Sequence, residues 1–272
     1  MFAREPGSAT RRPAVAGSFY PRESKELKSA VDALLSQAER LHQPGLAGVI
    51  APHAGYIYSG PVAAKAFAAV AATGAVFSRV LLLGPAHYVP VSGVAAPSST
   101  AFATPLGEIS INRDAIALLV ETGLVSIDDG AHAPEHSLEV ELPFLQTVLQ
   151  PFTLIPLLAG DVERAQVAAT IDAVLDERTL LVVSTDLSHY LGYASAQERD
   201  RATAETIEQL AFDRLGPYDA CGFAALNGAL CAASGRQWSV RRLDLRNSGD
   251  TRGDRSSVVG YGAWAFSAAQ LD

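Results

Sequence analysis

Leu46-Ala47-Gly48-Val49-Ile50-Ala51-Pro52-His53-Ala54-Gly55-Tyr56-Ile57-Tyr58-Ser59-Gly60-Pro61 connects a short apolar run to an Ala-rich segment, Val62 to Ala72. The run from Leu46 to Ile50 follows Pro44-Gly45 and carries no polar side chain, so it reads as a buried strand. The segment after it is amphipathic and rich in helix formers. Pro61 suits its first turn, where a missing N–H costs little. His53 therefore stands just past the carboxyl end of a strand, at the mouth of a βα loop. In open α/β sheets, ligands bind in that crevice. Taken alone, His53 could equally be a turn histidine satisfied by its neighbours.

Outward from this stretch, strand-like and helix-like segments alternate to the end of the chain. Residues 1–10 are polar with Gly, Ser and Pro and are expected to be disordered. An aromatic turn, Gly17 to Pro21, precedes a helix from Ser24 to Arg40. Arg79 to Gly84 reads as a second buried strand, ending in Pro85-Ala86-His87-Tyr88, and Val91 to Ala96 as a third strand. A helix from Asp114 to Thr122 stops at Gly123, a good residue after a helix end. Ser137 to Leu149 reads as helical despite Pro143, and Phe152 to Leu158 as a strand. Val162 to Leu175 is an amphipathic helix. Thr179 to Ser184 is a very apolar strand that runs into Thr185-Asp186-Leu187-Ser188-His189. Helices over Ala196–Leu210 and Tyr218–Ala233 and strands over Ser239–Arg246 and Ser257–Phe266 complete the chain. With no linker, repeat or composition break, residues 11–270 are expected to form one three-layer αβα domain. Its central sheet should be mixed but largely parallel, with helices on both faces.

The composition narrows the function. The 272 residues are 49% hydrophobic and 18% charged, with a formal net charge of −8, which argues against nucleic acid or an anionic membrane as partner. Two cysteines are too few for a disulfide framework and suggest a reducing compartment. No apolar run approaches the roughly 20 residues of a spanning helix, and the N-terminus lacks a signal-like apolar core, so the cytoplasm is the expected location.

Three apolar strands each deliver a histidine just beyond their carboxyl ends: His53, His87 and His189. The chain holds only six histidines, and parallel neighbouring strands would bring these three to one rim. Imidazoles converging there make a transition-metal site. Asp186 could ligate directly or fix the tautomer of a ligand imidazole, or could simply cap the next helix. His136 and Glu139, three apart, would share one helix face and support the site. His132 sits in a stretch that reads as a mobile loop. Cys221-Gly222 opens an apolar helix, where a thiolate would have a lowered pKa and be a soft ligand, although most lone cysteines are inert. Cys231 reads as that inert type. The chain has no nucleophile elbow, phosphate-binding loop, C-x-x-C pair or H-E-x-x-H helix.

These residues carry a family resemblance. Arg12 to Pro21, Ala51-Pro52-His53-Ala54-Gly55-Tyr56, Leu83 to His87, Glu135 to Val140, Ser184 to His189, Cys221-Gly222, Ser248-Gly249-Asp250 and Val258 to Tyr261 resemble the Memo family, in order, over about residues 11–266. In bacteria and archaea this family is the B component of the AmmeMemoRadiSam system. The resemblance implies a fold similar to class III extradiol dioxygenases, which are non-haem Fe(II) enzymes. It further implies that His53, His87 and Cys221 line a metal site, with Asp186 and His189 beside it. Iron(II) is the first expectation for the metal, then copper, with zinc behind both. The chain departs from the pattern at Thr185, where Ser is usual, and at Ala86, where a more polar residue is common. A cysteine in place of the dioxygenase carboxylate puts ring cleavage itself in doubt. Two functions follow. One is a redox metalloenzyme acting on a small molecule, with His189, Asp186 or His136 handling protons. The other is an adaptor that binds a peptide or protein in the same cleft, as described for eukaryotic relatives; a radical-SAM system protein is a further expected partner. A zinc hydrolase is a third, weaker reading.

Overall fold

Leu46–Ala51 (β2), Thr179–Ser184 (β9) and Arg79–Pro85 (β3) lie side by side in parallel, in that spatial order. Each has an apolar centre because each is covered on both faces, as parallel strands must be, with polar residues only at the ends of β9 and β3. Val49, Ile50, Leu82, Leu83, Val182 and Val183 are fully buried. Burying each contributes about 1.5–3 kcal/mol relative to leaving it exposed. The computed structural model describes residues 10–149 and 151–268.

In chain order, the other elements are β1 (Thr10–Arg11), α1 (Ser24–Gln37), α2 (Tyr56–Ala72), β4 (Val94–Ala96), β5 (Ala101–Thr104), β6 (Gly107–Ser110), α3 (Arg113–Glu121), β7 (Ser126–Ile127) and α4 (Asp129–His132). Then come α5 (Leu142–Val148), β8 (Thr153–Ala159), α6 (Arg164–Val174), β10 (His189–Leu191), α7 (Tyr193–Glu208), α8 (Phe223–Gly235), β11 (Ser239–Asn247), α9 (Ser248–Thr251) and β12 (Val258–Ser267). The main sheet runs β10-β12-β2-β9-β3-β8-β4-β7, with β11 paired to β12. Its centre, β2-β9-β3-β8, is parallel, and β4 and β12 flank it antiparallel. A small separate sheet joins β1, β5 and β6. Helices cover both sides of the main sheet: α2 packs on β2 and β12 with α1 and α5 against it, and α8 packs on β3, β8 and β9 with α6 against it. The mixed, three-layer α/β architecture is the expected one. Among the described residues, no helix is long and apolar enough to cross a membrane.

Several local expectations are corrected. Thr10 is not disordered but pairs with Ala101; residues 1–9 lie outside the described residues. The run from Ser137 to Leu149 is not one helix. It passes through a turn and a single 3₁₀ turn, Glu139–Glu141, before α5 begins at Leu142. Pro143 sits in the first turn of α5, where its missing N–H breaks no bond. α2 starts at Tyr56 rather than near Pro61, so Pro61 lies inside it. α8 starts at Phe223, leaving Cys221 ahead of the Gly222 cap. The stretch around His132 is the short helix α4, capped by Asp128, and His132 is buried.

Candidate metal centre

Register decides the site. Ala51 pairs with Ser184, and Leu83 with Val183, so β2, β9 and β3 end at one rim of the sheet. The loops beyond those ends carry His53, Asp186 and His87 into one crevice. From the other side, the segment between α4 and α5 brings His136. Ring nitrogens of His53, His87 and His136 all lie within 4.8 Å of one another, the only such group of three His, Cys, Asp or Glu donors among the described residues. The His87 and His136 rings stack with centroids 4.7 Å apart, and His53 meets both edge-on.

The surroundings fix which nitrogens are free. His53 Nδ1 is 2.8 Å from Ser184 Oγ, and His87 Nδ1 is 2.9 Å from Glu135 Oε1, leaving Nε2 on His87, and on His53 an Nε2 that faces Cys221 Sγ. His136 Nδ1 is buried and makes no well-aligned hydrogen bond, with the Glu135 carboxylate 3.3 Å away. Three imidazoles converging in one crevice, with Glu135 and Ser184 behind two of them, offer the nitrogen donors that a metal ion takes. The donor set therefore fits a divalent transition metal. Burial, then the neighbouring His87 and His136, holds His53 well below the ordinary imidazole pKa. Burial likewise takes His136 down to about 4. Both are neutral at physiological pH, the form that binds metal.

Glu135 is the candidate site residue that sequence reasoning passed over. Its carboxylate accepts from the His87 ring and from the amides of His87, His136 and Ser137. Burial opposes its ionisation, but the hydrogen bonds from His87 and Ser137 hold it down at about 2. A carboxylate behind a ligand histidine fixes its tautomer and raises its basicity. The signal was present in the motif, directly before His136.

Glu139 does not join the site. It is fully buried and accepts from Arg11 Nη1, the Ala14 and Val15 amides at 2.7 and 3.0 Å, and the Tyr20 hydroxyl. Without a helix over 136–139, the three-residue spacing no longer places His136 and Glu139 on one face. Arg11 also donates to the carbonyls of His132 and Glu135, so this knot ties the N-terminal segment to the loop that presents His136.

Asp186 Oδ1 accepts from the His53 amide at 2.9 Å, and burial raises its carboxyl to about 7. His189 Nδ1 donates to the Leu187 carbonyl, and burial lowers its pKa. Both line an open cleft of about 440 Å³ together with His136, Phe19, Tyr58 and Tyr190. Cys221 Sγ lies 3.4 Å from His53 Nε2 and accepts from the Asp186 amide at 3.3 Å, but it is not one of the three clustered donors. Gly222 permits this approach, since a Cβ there would meet Thr185 at 2.8 Å. The expected helix-start activation of Cys221 is absent. Its own amide is spent on the Asp186 carbonyl, and burial pushes the thiol up to about 12.

A family model described as Memo-like protein matches residues 11–265. The chain belongs to the Memo family. A MEMO1 family protein of Methanopyrus kandleri is 36% identical to this Memo-family chain, over 94% of it and 98% of the relative. One from Nitrosopumilus maritimus is 32% identical over 94% and 99%, and one from Thermotoga neapolitana 34% over 92% and 97%. The crystal structure of an uncharacterized protein from Escherichia coli K12 shares the fold at a TM-score of 0.52 and 14% identity. It covers 81% of this Memo-family chain and 99% of the other.

Proposed function

We propose that this Memo-family protein is a non-haem redox metalloprotein acting on a small molecule, with His53, His87 and His136 as the resident metal's ligands. The observation that carries the reading is the trio of imidazole nitrogens within 4.8 Å of one another. Cys221 is the proposed additional donor, because its sulfur stands 3.4 Å from His53 Nε2. Such a donor set accepts iron, copper or zinc; iron(II), then copper, is proposed from the family resemblance, and a bound redox metal would supply electron transfer and Lewis acidity. The protein's own part is to orient His87 through Glu135 and His53 through Ser184, while burial keeps His53 and His136 neutral. Asp186 and His189 face the cleft and are the groups able to give or take a proton from a bound molecule. The cytoplasm remains the proposed location.

Exposed apolar side chains favour a second reading, that of a peptide- or protein-binding adaptor, with a radical-SAM system protein as one partner. Ile57, Tyr58, Tyr88 and Tyr190 are 57%, 37%, 55% and 78% exposed. Tyr58 and Tyr190 line the cleft, and Tyr190 holds a left-handed backbone, φ 59°. Strain of that kind concentrates at ligand sites. Anaerobic metal analysis with an O₂-uptake screen separates the two. Stoichiometric iron or copper, lost in His53→Ala and His87→Ala, with metal-dependent O₂ uptake supports the enzyme. Metal content equal in wild type and both variants overturns the site. Metal protection of Cys221 from alkylation tests the additional donor, and equal rates with and without metal remove it from the site.

A further inference from the structure

Behind the three histidines lies a second carboxyl group that the metal reading does not use. Glu141 is fully buried. Its Oε1 is 3.0 Å from Ser184 Oγ, its Oε2 has no partner, and no Lys or Arg among the described residues forms an ion pair with it. The nearby Tyr56 hydroxyl is spent on the Val140 carbonyl. Ser184 Oγ is the junction. It touches the Ser137 carbonyl at 2.6 Å, His53 Nδ1 at 2.8 Å and Glu141 Oε1 at 3.0 Å.

Counting protons assigns the roles. A serine hydroxyl has one hydrogen to give and two lone pairs to receive. The Ser137 carbonyl can only accept, and it makes the shortest contact, so it takes the Ser184 proton. The other two neighbours must then donate. An ionised Glu141 would be a buried charge with no cation and one bare oxygen, a state that costs far more than a neutral acid. Burial also raises the Glu141 carboxyl well above its ordinary range, with the Asp186 charge adding to it.

We propose that Glu141 is a neutral carboxylic acid that donates to Ser184 and is a positioning residue for the metal site. With one lone pair occupied by Glu141 and its proton committed to Ser137, Ser184 can meet His53 only as an acceptor. His53 is therefore locked as the Nδ1–H tautomer, with the Nε2 lone pair facing Cys221 Sγ, 3.4 Å away, and the other imidazoles. The value of this lock rests on the triad being the metal site; the lock itself is a property of the metal-free protein.

The test begins there. Infrared difference spectra between wild type and Glu141→Gln, metal-free at neutral pH, should show loss of one protonated-carboxyl C=O band. Nitrogen-15 spectra of histidine-labelled protein, with His53 assigned through His53→Gln, should show Nδ1 protonated and Nε2 bare. Ser184→Ala should abolish that preference and weaken Zn(II) binding, measured against a chromophoric chelator, by about 10–100-fold. Glu141→Leu should shift both readouts in the same direction, while Glu141→Gln, whose amide still donates, restores them. No carboxyl band lost would show an ionised Glu141 and overturn the proposal, and Glu141→Gln as damaging as Glu141→Leu would overturn the hydrogen-bonding role. A protonated Nε2 in the wild type would do the same. Failure of the wild type to bind Zn(II), iron or copper would sink the metal reading, while the infrared and nitrogen-15 results still decide the lock.

Discussion

Replacing Glu139 with Gln tests the claim that this residue anchors the fold instead of serving the site. The wild-type carboxylate is fully buried and receives four donors: Arg11, the Ala14 and Val15 amides, and the Tyr20 hydroxyl. A glutamine there would keep the shape but remove the charge, stranding the Arg11 guanidinium, which is itself only 8% exposed. Breaking a buried ion pair from one side costs about 3–5 kcal/mol. The Phe102 ring, 5.1 Å from the guanidinium, and the His132 and Glu135 carbonyls recover part of that, so the lower end is expected. A loss of about 3 kcal/mol corresponds to a fall in Tm of roughly 6–12 °C for a chain of this size. Urea unfolding of wild type, Glu139→Gln, Arg11→Met and the double variant supplies the measurement, with m-values compared to confirm two-state behaviour. The double variant should be less damaged than the sum of the singles, because its buried charges leave together. If Glu139→Gln stays within about 0.5 kcal/mol of wild type, the range of an ordinary surface change, the anchor argument fails.

Three further outcomes are expected. His132 is buried neutral with its pKa taken down to about 4, chiefly by burial, so the unfolded chain binds the extra proton first. Its depressed value means stability is retained above the ordinary 6.5 and falls as pH drops toward 4, by up to about 3 kcal/mol. His132→Gln should lose that slope, and parallel pH profiles of urea midpoints would refute it. His53→Ala and His87→Ala should each lose most bound metal. His53, at 1% exposure, should also cost about 1–3 kcal/mol, more than the surface-like change of about 0.5 kcal/mol expected of a loop residue past a strand end. Metal analysis beside thermal unfolding checks both. Gly228→Ala should destabilise although alanine favours helix by about 1 kcal/mol, because its Cβ would sit 2.3 Å from Val167 across the α6–α8 contact. A raised Tm would contradict that packing.

The sequence alone was enough for the architecture and for naming part of the candidate site. Apolar runs such as Leu46–Ile50 and Thr179–Ser184 suit burial on both faces, and with helices alternating between them that favours a parallel centre whose strand ends share a rim. His53, His87 and Asp186 follow from their places just beyond those ends. What the sequence could not settle depends on neighbours far along the chain. His136 becomes one of the clustered donors, and Glu139 an anchor 125 residues from Ala14, because the backbone from 135 to 141 turns instead of forming one helix. Helical periodicity cannot report such a turn. Glu135 and Glu141 stand in the same short motif with the same chemistry. One is held ionised by four converging donors, while the other is buried with no cation to balance a charge. Only the fold assigns those surroundings, since the free energy of a charge depends on what packs around it.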